Sequence, residues 1–188
     1  MDPSDSELMQ LLVNGDDLAL NRLMDRWGSR VTGFLQRMLG NHATAMDLAQ
    51  ETFVKLYQAR DRYRSSGNFS TWLFAIAANL ARNHARWKGR HPTRSLDASL
   101  EEGEVAILET ADLHQNPGEA AASAETVRAI NAAFLQLPAD LREAMTLFVH
   151  EGMSYAEIAA VAECSSKAVE TRIYRARQLL REELRQLI

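Results

Sequence analysis

Residues Met153–Leu180 read MSYAEIAAVAECSSKAVETRIYRARQLL, and their spacing predicts two helices around a tight turn. Ser154, with Glu157 three residues later, has the capping-box pattern, and Met153 with Ile158 matches the hydrophobic staple around it. A short Ala-rich helix is expected to about Ala162, then a turn at Glu163-Cys164-Ser165, then a second helix capped by Ser165. Small side chains at Ala156, Ala159 and Ala160 suit a steep crossing of the two helices. On a helical projection Val169, Ile173, Ala176 and Leu180 fall on one stripe that must face a core. Lys167, Thr171, Tyr174 and Gln178 fall opposite, with Glu170, Arg175 and Arg181 at the edges. That face carries hydrogen-bond donors, a ring and charge, which suit base edges in a major groove. Arg172 and Arg177 flank the apolar stripe and are nearer to backbone phosphates. An ordinary solvated helix face would use similar residues. Cap, turn and apolar spacing together favour a DNA-binding helix-turn-helix.

The charge of the whole chain runs against this at first sight, with 21 Lys+Arg and 25 Asp+Glu in 188 residues. Its distribution resolves the conflict. Residues 60–95 hold eight basic groups and only Asp61, whereas residues 96–127 hold eight acidic groups and no Lys or Arg. Residues 128–188 balance at eight of each. Contacts are decided by local fields within a Debye length of about 8 Å, so an acidic total does not exclude a polyanionic partner.

Few alternating Val/Ile/Thr runs occur, so an all-α fold is expected. The acidic stretch 96–125, with Pro117-Gly118, reads as a flexible linker between two small helical domains, 5–95 and 126–188. A surface loop with a short helix near Val105–Leu108 is the alternative. The linker predicts halves that move independently unless a partner clamps them. In the first domain, Leu8, Leu11 and Leu12 share a face before a break at Asn14-Gly15-Asp16. A second helix spans Leu18 to Leu39 and stops at Gly40-Asn41. Thr44 with Asp47 caps a third, and Ser70 or Thr71 a fourth that runs to about Lys88.

The fourth helix turns Leu73, Ile76, Leu80 and Trp87 inward and Trp72, Asn79, Arg82 and Arg86 along a different arc. An aromatic followed by Asn and Arg in line can stack on an unpaired base and hold its backbone. The small loop Ser65–Phe69 can surround a flipped nucleotide, although Phe69 and Trp72 would serve equally as core. On the third helix Ala49, Phe53, Leu56 and Tyr57 point inward, while Leu48 lies with Asp47, Glu51, Lys55 and Gln58 on the polar side. An apolar residue among acids there is weak evidence for a protein partner.

Three segments, DLAQETFVKLYQA, FSTWLFAIAANLARNHAR and LPADLREAMTLFVHEGMSYAEIAAVAECSSKAVETRIYRAR, in this order closely resemble a bacterial extracytoplasmic-function (ECF, group 4) sigma factor of the sigma-70 family. The resemblance implies a sigma region 2 helical bundle and a sigma region 4 helix-turn-helix. It implies docking on the β′ clamp helices of core RNA polymerase through Asp47, Leu48, Gln50 and Glu51, with contact to the β flap. It assigns the −10 promoter element to Ser66, Gly67, Asn68, Phe69, Trp72, Asn79, Arg82, Asn83 and Arg86. The −35 element falls to Ser166, Lys167, Glu170, Thr171, Arg172, Tyr174, Arg175 and Gln178. The family often has Gly-Thr-Val followed by a cation where this chain has Ala168, Val169 and Glu170, which leaves the −35 preference open. An anti-sigma factor as regulator is also implied.

No catalytic or metal-binding residues and no cofactor are expected, because the five histidines lack metal or triad spacing and His150-Glu151 is not continued as HExxH. The single Cys164 excludes an internal disulfide and reads as a small half-buried residue of a cytoplasmic protein. No run reaches the roughly 18–20 apolar residues that span a bilayer. A dimeric helix-turn-helix repressor or activator would leave the 47–58 helix and the 65–86 segment unexplained, and a helical adaptor without DNA affinity requires that neutralising Arg172 and Arg175 leave DNA-dependent activity unchanged.

Overall fold

Eight helices, and no strands, make up the described residues of the computed structural model, which are 2–65, 67–91 and 117–185, with backbone alone for 117–125. They are α1 Asp5–Val13, α2 Leu18–Leu39, α3 His42–Gln58, α4 Phe69–Arg90, α5 Pro117–Gln136, α6 Ala139–Val149, α7 Tyr155–Val161 and α8 Ser166–Leu184. Arg60–Arg62 adds one 3-10 turn. The all-α expectation holds.

α2 is the centre of the first half. Ala19, Leu23, Trp27, Val31, Phe34, Leu35 and Met38 recur at intervals of three and four and are all buried. Gly40 closes the helix at φ 72°, the left-handed conformation that an L side chain resists. α3 and α4 pack against α2. The entry of α4 supplies Phe69 and Phe74, whose rings meet Trp27 edge-on at 5.6 and 6.2 Å between centroids. Such edge contacts suit the ring quadrupoles.

Several boundaries move. α3 starts earlier than expected, capped by Asn41, whose Oδ1 accepts from Thr44 N at 2.8 Å. α4 is capped by Asn68 rather than Ser70 or Thr71. In α1 the buried set is Leu8, Met9 and Leu12, while Leu11 is exposed. α5 begins at Pro117, so the last residues of the expected linker are helical, with proline in the first turn where its missing N–H costs nothing. The remainder of that segment, the Val105–Leu108 alternative included, lies outside the described residues.

The two halves are packed against each other, where the linker led us to expect mobility. Arg142 of α6 donates to Met38 O at 3.0 Å and to Leu137 O at 3.2 Å, closing the end of α2 onto α6. Arg30 of α2 pairs with Glu151 at 2.9 Å, and a Cβ at Gly40 would stand 3.2 Å from Leu135 of α5. Buried apolar side chains of both halves form one continuous core.

Candidate nucleic-acid interface

α7 and α8 are built as their sequence indicates. Ser154 Oγ accepts from Glu157 N, and the Glu157 carboxylate accepts from Ser154 N at 2.9 Å, completing the capping box. Met153 and Ile158 are buried beneath it. Of the three alanines expected at the helix crossing, Ala159 alone is buried, and Ala156 and Ala160 face outward. Glu163 turns the chain at φ 51° before Ser165 caps α8 by accepting from Ala168 N at 3.2 Å. Val169, Ile173, Ala176 and Leu180 are the buried residues of α8. Opposite them Lys167, Thr171, Tyr174, Arg175 and Gln178 are exposed, Tyr174 by 64%. Ser166 begins this exposed surface.

Several charged residues of α8 have intramolecular partners, among them Arg177, whose guanidinium lies 5.3 Å over the Phe148 ring. Glu170 takes the Lys167 ammonium at 2.8 Å on the exposed face. Arg172 does not stand free toward solvent as the sequence suggested. It turns inward, with Nε 3.4 Å from Asp140 Oδ2 and Nη1 3.5 Å from Cys164 Sγ.

On α4 the expected residues separate into three groups. Phe69 is core, 4% exposed among Trp27, Tyr63 and Trp72, so it is not available to a base. Trp72 is half buried and tilted on Tyr63 at 5.2 Å. Asn79, Asn83 and Arg86 are exposed, and Arg86 donates to Asn83 Oδ1 at 2.8 Å. Gly67 is exposed, and Ser66 lies outside the described residues.

Asn68 and Arg82 form the third group, because the other half of the molecule engages both. Arg82 Nη1 donates to Glu143 Oε1 at 2.7 Å, and its Nη2 lies 3.7 Å from Glu163. Asn68 Nδ2 donates to Glu157 Oε1 at 2.7 Å, so the capping carboxylate of α7 also grips the entry of α4. Burial pushes Glu143 above the usual carboxylate range, against the pull of Arg82 and Arg172. Glu151 is raised in the same way, against Arg30 and Arg37. Hydrogen bonds from Ser154, then Asn68, hold Glu157 below that range.

The outward face of α3 differs from expectation at one residue. Asp47, Gln50 and Glu51 are exposed, but Leu48 is only 9% exposed. It sits one turn before Thr52, which is fully buried and whose hydroxyl donates back to Leu48 O at 2.7 Å. The apolar residues actually presented beside the acids are Met46 and Val54, each about half exposed. Trp87 is a second inversion: placed inward by the sequence reading, it is 51% exposed. Its spacing from Asn79 and Asn83 by fours, legible in the sequence, puts it on their outer ridge instead. Among the described residues no cluster of His, Cys, Asp or Glu could hold a metal ion, and no helix is long and apolar enough to cross a membrane.

A helical bundle with an aromatic and cationic helix, followed by a capped helix-turn-helix, defines a two-part all-α nucleic-acid-binding protein. The chain matches the family models described as Sigma-70 region 2, over residues 23–91, and Sigma-70, region 4, over residues 128–180. It is 35% identical to the RNA polymerase sigma-H factor of Pseudomonas aeruginosa, over 98% of this chain and 95% of that protein. It is 34% identical to the ECF RNA polymerase sigma-E factor of Escherichia coli K12, over 98% and 96%. Among solved structures it resembles CnrH in complex with the cytosolic domain of CnrY, with TM-score 0.71, 25% identity and 97% of each chain covered. It also resembles the sigma factor RpoE in complex with the anti-sigma factor NepR from Bartonella quintana, with TM-score 0.69, 27% identity, and 88% of this chain and 96% of that one covered. The chain belongs to the sigma-70 family and is an RNA polymerase sigma factor of the ECF type.

Proposed function

We propose that this sigma factor directs core RNA polymerase to promoters through three surfaces of named residues, with a β-flap contact besides. Residues 5–95 act as region 2 and residues 126–188 as region 4. The exposed α3 face, with Asp47, Gln50 and Glu51 beside Met46 and Val54, docks on the β′ clamp helices, and the C-terminal half meets the β flap. α8 lies in the major groove of the −35 element, with Lys167, Thr171, Tyr174 and Gln178 toward base edges and Ser166 and Arg175 toward phosphates. Trp72, Asn79, Arg82, Asn83 and Arg86, with the loop at Gly67 and Asn68, hold the unpaired −10 strand. Capturing an unstacked base costs a few kcal/mol, offset by stacking worth ~1–3 kcal/mol per base.

The observation that carries this reading is α8 itself, a doubly capped motif that buries Val169, Ile173, Ala176 and Leu180 and leaves its polar opposite face uncovered. An anti-sigma factor is the proposed regulator, supported by two relatives of matching fold solved with the cytosolic domain of CnrY and with the anti-sigma factor NepR. The protein works in the cytoplasm, where the polymerase is, and adds no catalysis, metal or cofactor of its own. Run-off transcription with purified core polymerase on a promoter library tests the whole. Initiation at fixed starts downstream of one shared pair of elements is expected, and a chain that leaves core polymerase as inactive as before refutes it.

A further inference from the structure

α4 extends four residues beyond Arg86, and its last turns carry an arrangement that the three proposed surfaces do not use. Trp87 is 51% exposed on a helix where Phe69 and Phe74 are buried and Trp72 is half buried. Its ring stacks on His91, with centroids 5.2 Å apart and planes 24° from parallel, and His84 lies 6.4 Å away on the preceding turn. Asn79, Asn83, Trp87 and His91 are spaced by fours, so they form one ridge along the helix. Arg86, Lys88 and Arg90 are exposed around the ring, and the only acidic residue between positions 60 and 91 is Asp61. A large aromatic surface left in water beside three cations suits a partner that brings both π-faces and negative charge.

We infer that Trp87, with His91 stacked on it, is a second base-stacking platform for single-stranded DNA at the far end of α4. It rests on the reading that α4 holds the unpaired strand. Trp72 and Trp87 are fifteen residues apart, which at 1.5 Å per residue is about 22 Å. A strand kept at a stacked rise of about 3.4 Å covers that length in about six nucleotides. The two rings thus hold two ends of one segment, while Asn79, Asn83 and Arg86 lie between them. Arg86, Lys88 and Arg90 neutralise the phosphates, and the stacking itself discriminates little among bases because every base has a π-face. Unlike Asn68 and Arg82, Trp87 has ring partners only on its own helix end among the described residues, so the packed second half leaves it available.

The test compares holoenzymes made with wild-type chain, Trp87→Ala and Trp87→Phe on a forked promoter template whose non-template strand is unpaired. Trp87→Ala should weaken retention of the fork about tenfold, which is 1.4 kcal/mol, and Trp87→Phe should restore most of it. The logarithmic salt dependence should be unchanged by Trp87→Ala and reduced by Lys88→Gln, because the ring touches a base and the cation a phosphate. Equal retention by wild type and Trp87→Ala overturns the platform while leaving the α4 reading intact. Loss of core polymerase binding by Trp87→Ala, with normal helicity, makes the ring a protein contact and also overturns it. A wild-type holoenzyme that does not distinguish forked from fully paired template defeats the parent reading, and the platform with it.

Discussion

Reversing the charge of Glu143 should pull the two halves of the molecule apart. Glu143 is 3% exposed, and its Oε1 lies 2.7 Å from Arg82 Nη1, with Arg172 also close enough to act on it. Two unit charges about 4 Å apart interact by about 4 kcal/mol at the effective dielectric of partly buried sites. In Glu143→Arg that attraction becomes repulsion between guanidinium groups. Both are long enough to swing toward water, so most of the swing is relieved and a net loss of about 3 kcal/mol is expected. That amounts to roughly a 150-fold shift toward separated halves. The assay is pulsed electron-spin distance measurement between labels at Gln50 and Gln178, both exposed, in a Cys164→Ala background. The wild-type background should give one narrow distance, and Glu143→Arg a broad and longer distribution with helicity retained. Adding Arg82→Glu restores an oppositely charged pair and should restore the narrow distance. If Glu143→Arg keeps the wild-type distance, or if the swapped pair stays open, the Arg82–Glu143 contact does not hold the halves together.

On α3, Leu48→Ala should destabilise the first half by about 3 kcal/mol, as buried leucine truncations do, because Leu48 is core. Val54→Asp should change stability by no more than about 0.5 kcal/mol yet weaken core polymerase binding, and thermal melts with a pull-down separate the two outcomes. The packed arrangement should also respond to pH. Glu143 and Glu151 are both raised by burial, so their contribution is complete below the ordinary carboxylate value of 4.5 and is lost as pH rises through their raised values. His150 opposes them, since burial and Arg37 lower it and its contribution is lost as pH falls below the ordinary 6.5. With His150→Asn removing that opposition, melting temperature should rise as pH falls from 6.5 toward 4.5, and a flat or falling profile would contradict the burial of the two glutamates.

What could be read in advance was local. The box at Ser154 and Glu157, the Ser165 cap, the α8 stripe and both ends of α2 depend on residues within one or two turns of each other. The errors came where distant residues choose between faces. Whether Phe69 meets a base or the core depends on Trp27, forty-two positions away, whose ring stands 5.6 Å from it. Leu48 lay at the border of the apolar arc of α3, and contact with the rest of the bundle drew it inside. The pairing of Arg82 with Glu143, or of Arg30 with Glu151, leaves no periodic trace in either partner's own segment. Among the described residues, the carboxylates that meet Arg82 of α4 belong to α6 and to the turn after α7, and Glu157 of α7 takes the Asn68 amide at the helix entry.

This placement gives the acidic residues of the second half a role that their number alone does not suggest. Glu143, Glu157 and Glu163 occupy Arg82 and Asn68 with oxygens, much as phosphates and base acceptors of an unpaired strand would on the function proposed above. A strand and these carboxylates cannot use the same donors at once. The α8 face is not covered in this way, since Tyr174, Arg175 and Gln178 remain exposed while the halves are packed. On the proposed function, competition therefore falls on the −10 element and not on the −35 element. Any partner that binds the separated halves better than the packed ones must supply the free energy of breaking these contacts, and in doing so it releases Arg82 and Asn68, the donors assigned to the −10 strand on the proposed function. A partner that favours the packed form gains the same free energy as affinity, so on the proposed function an inhibitor can silence α4 without touching it.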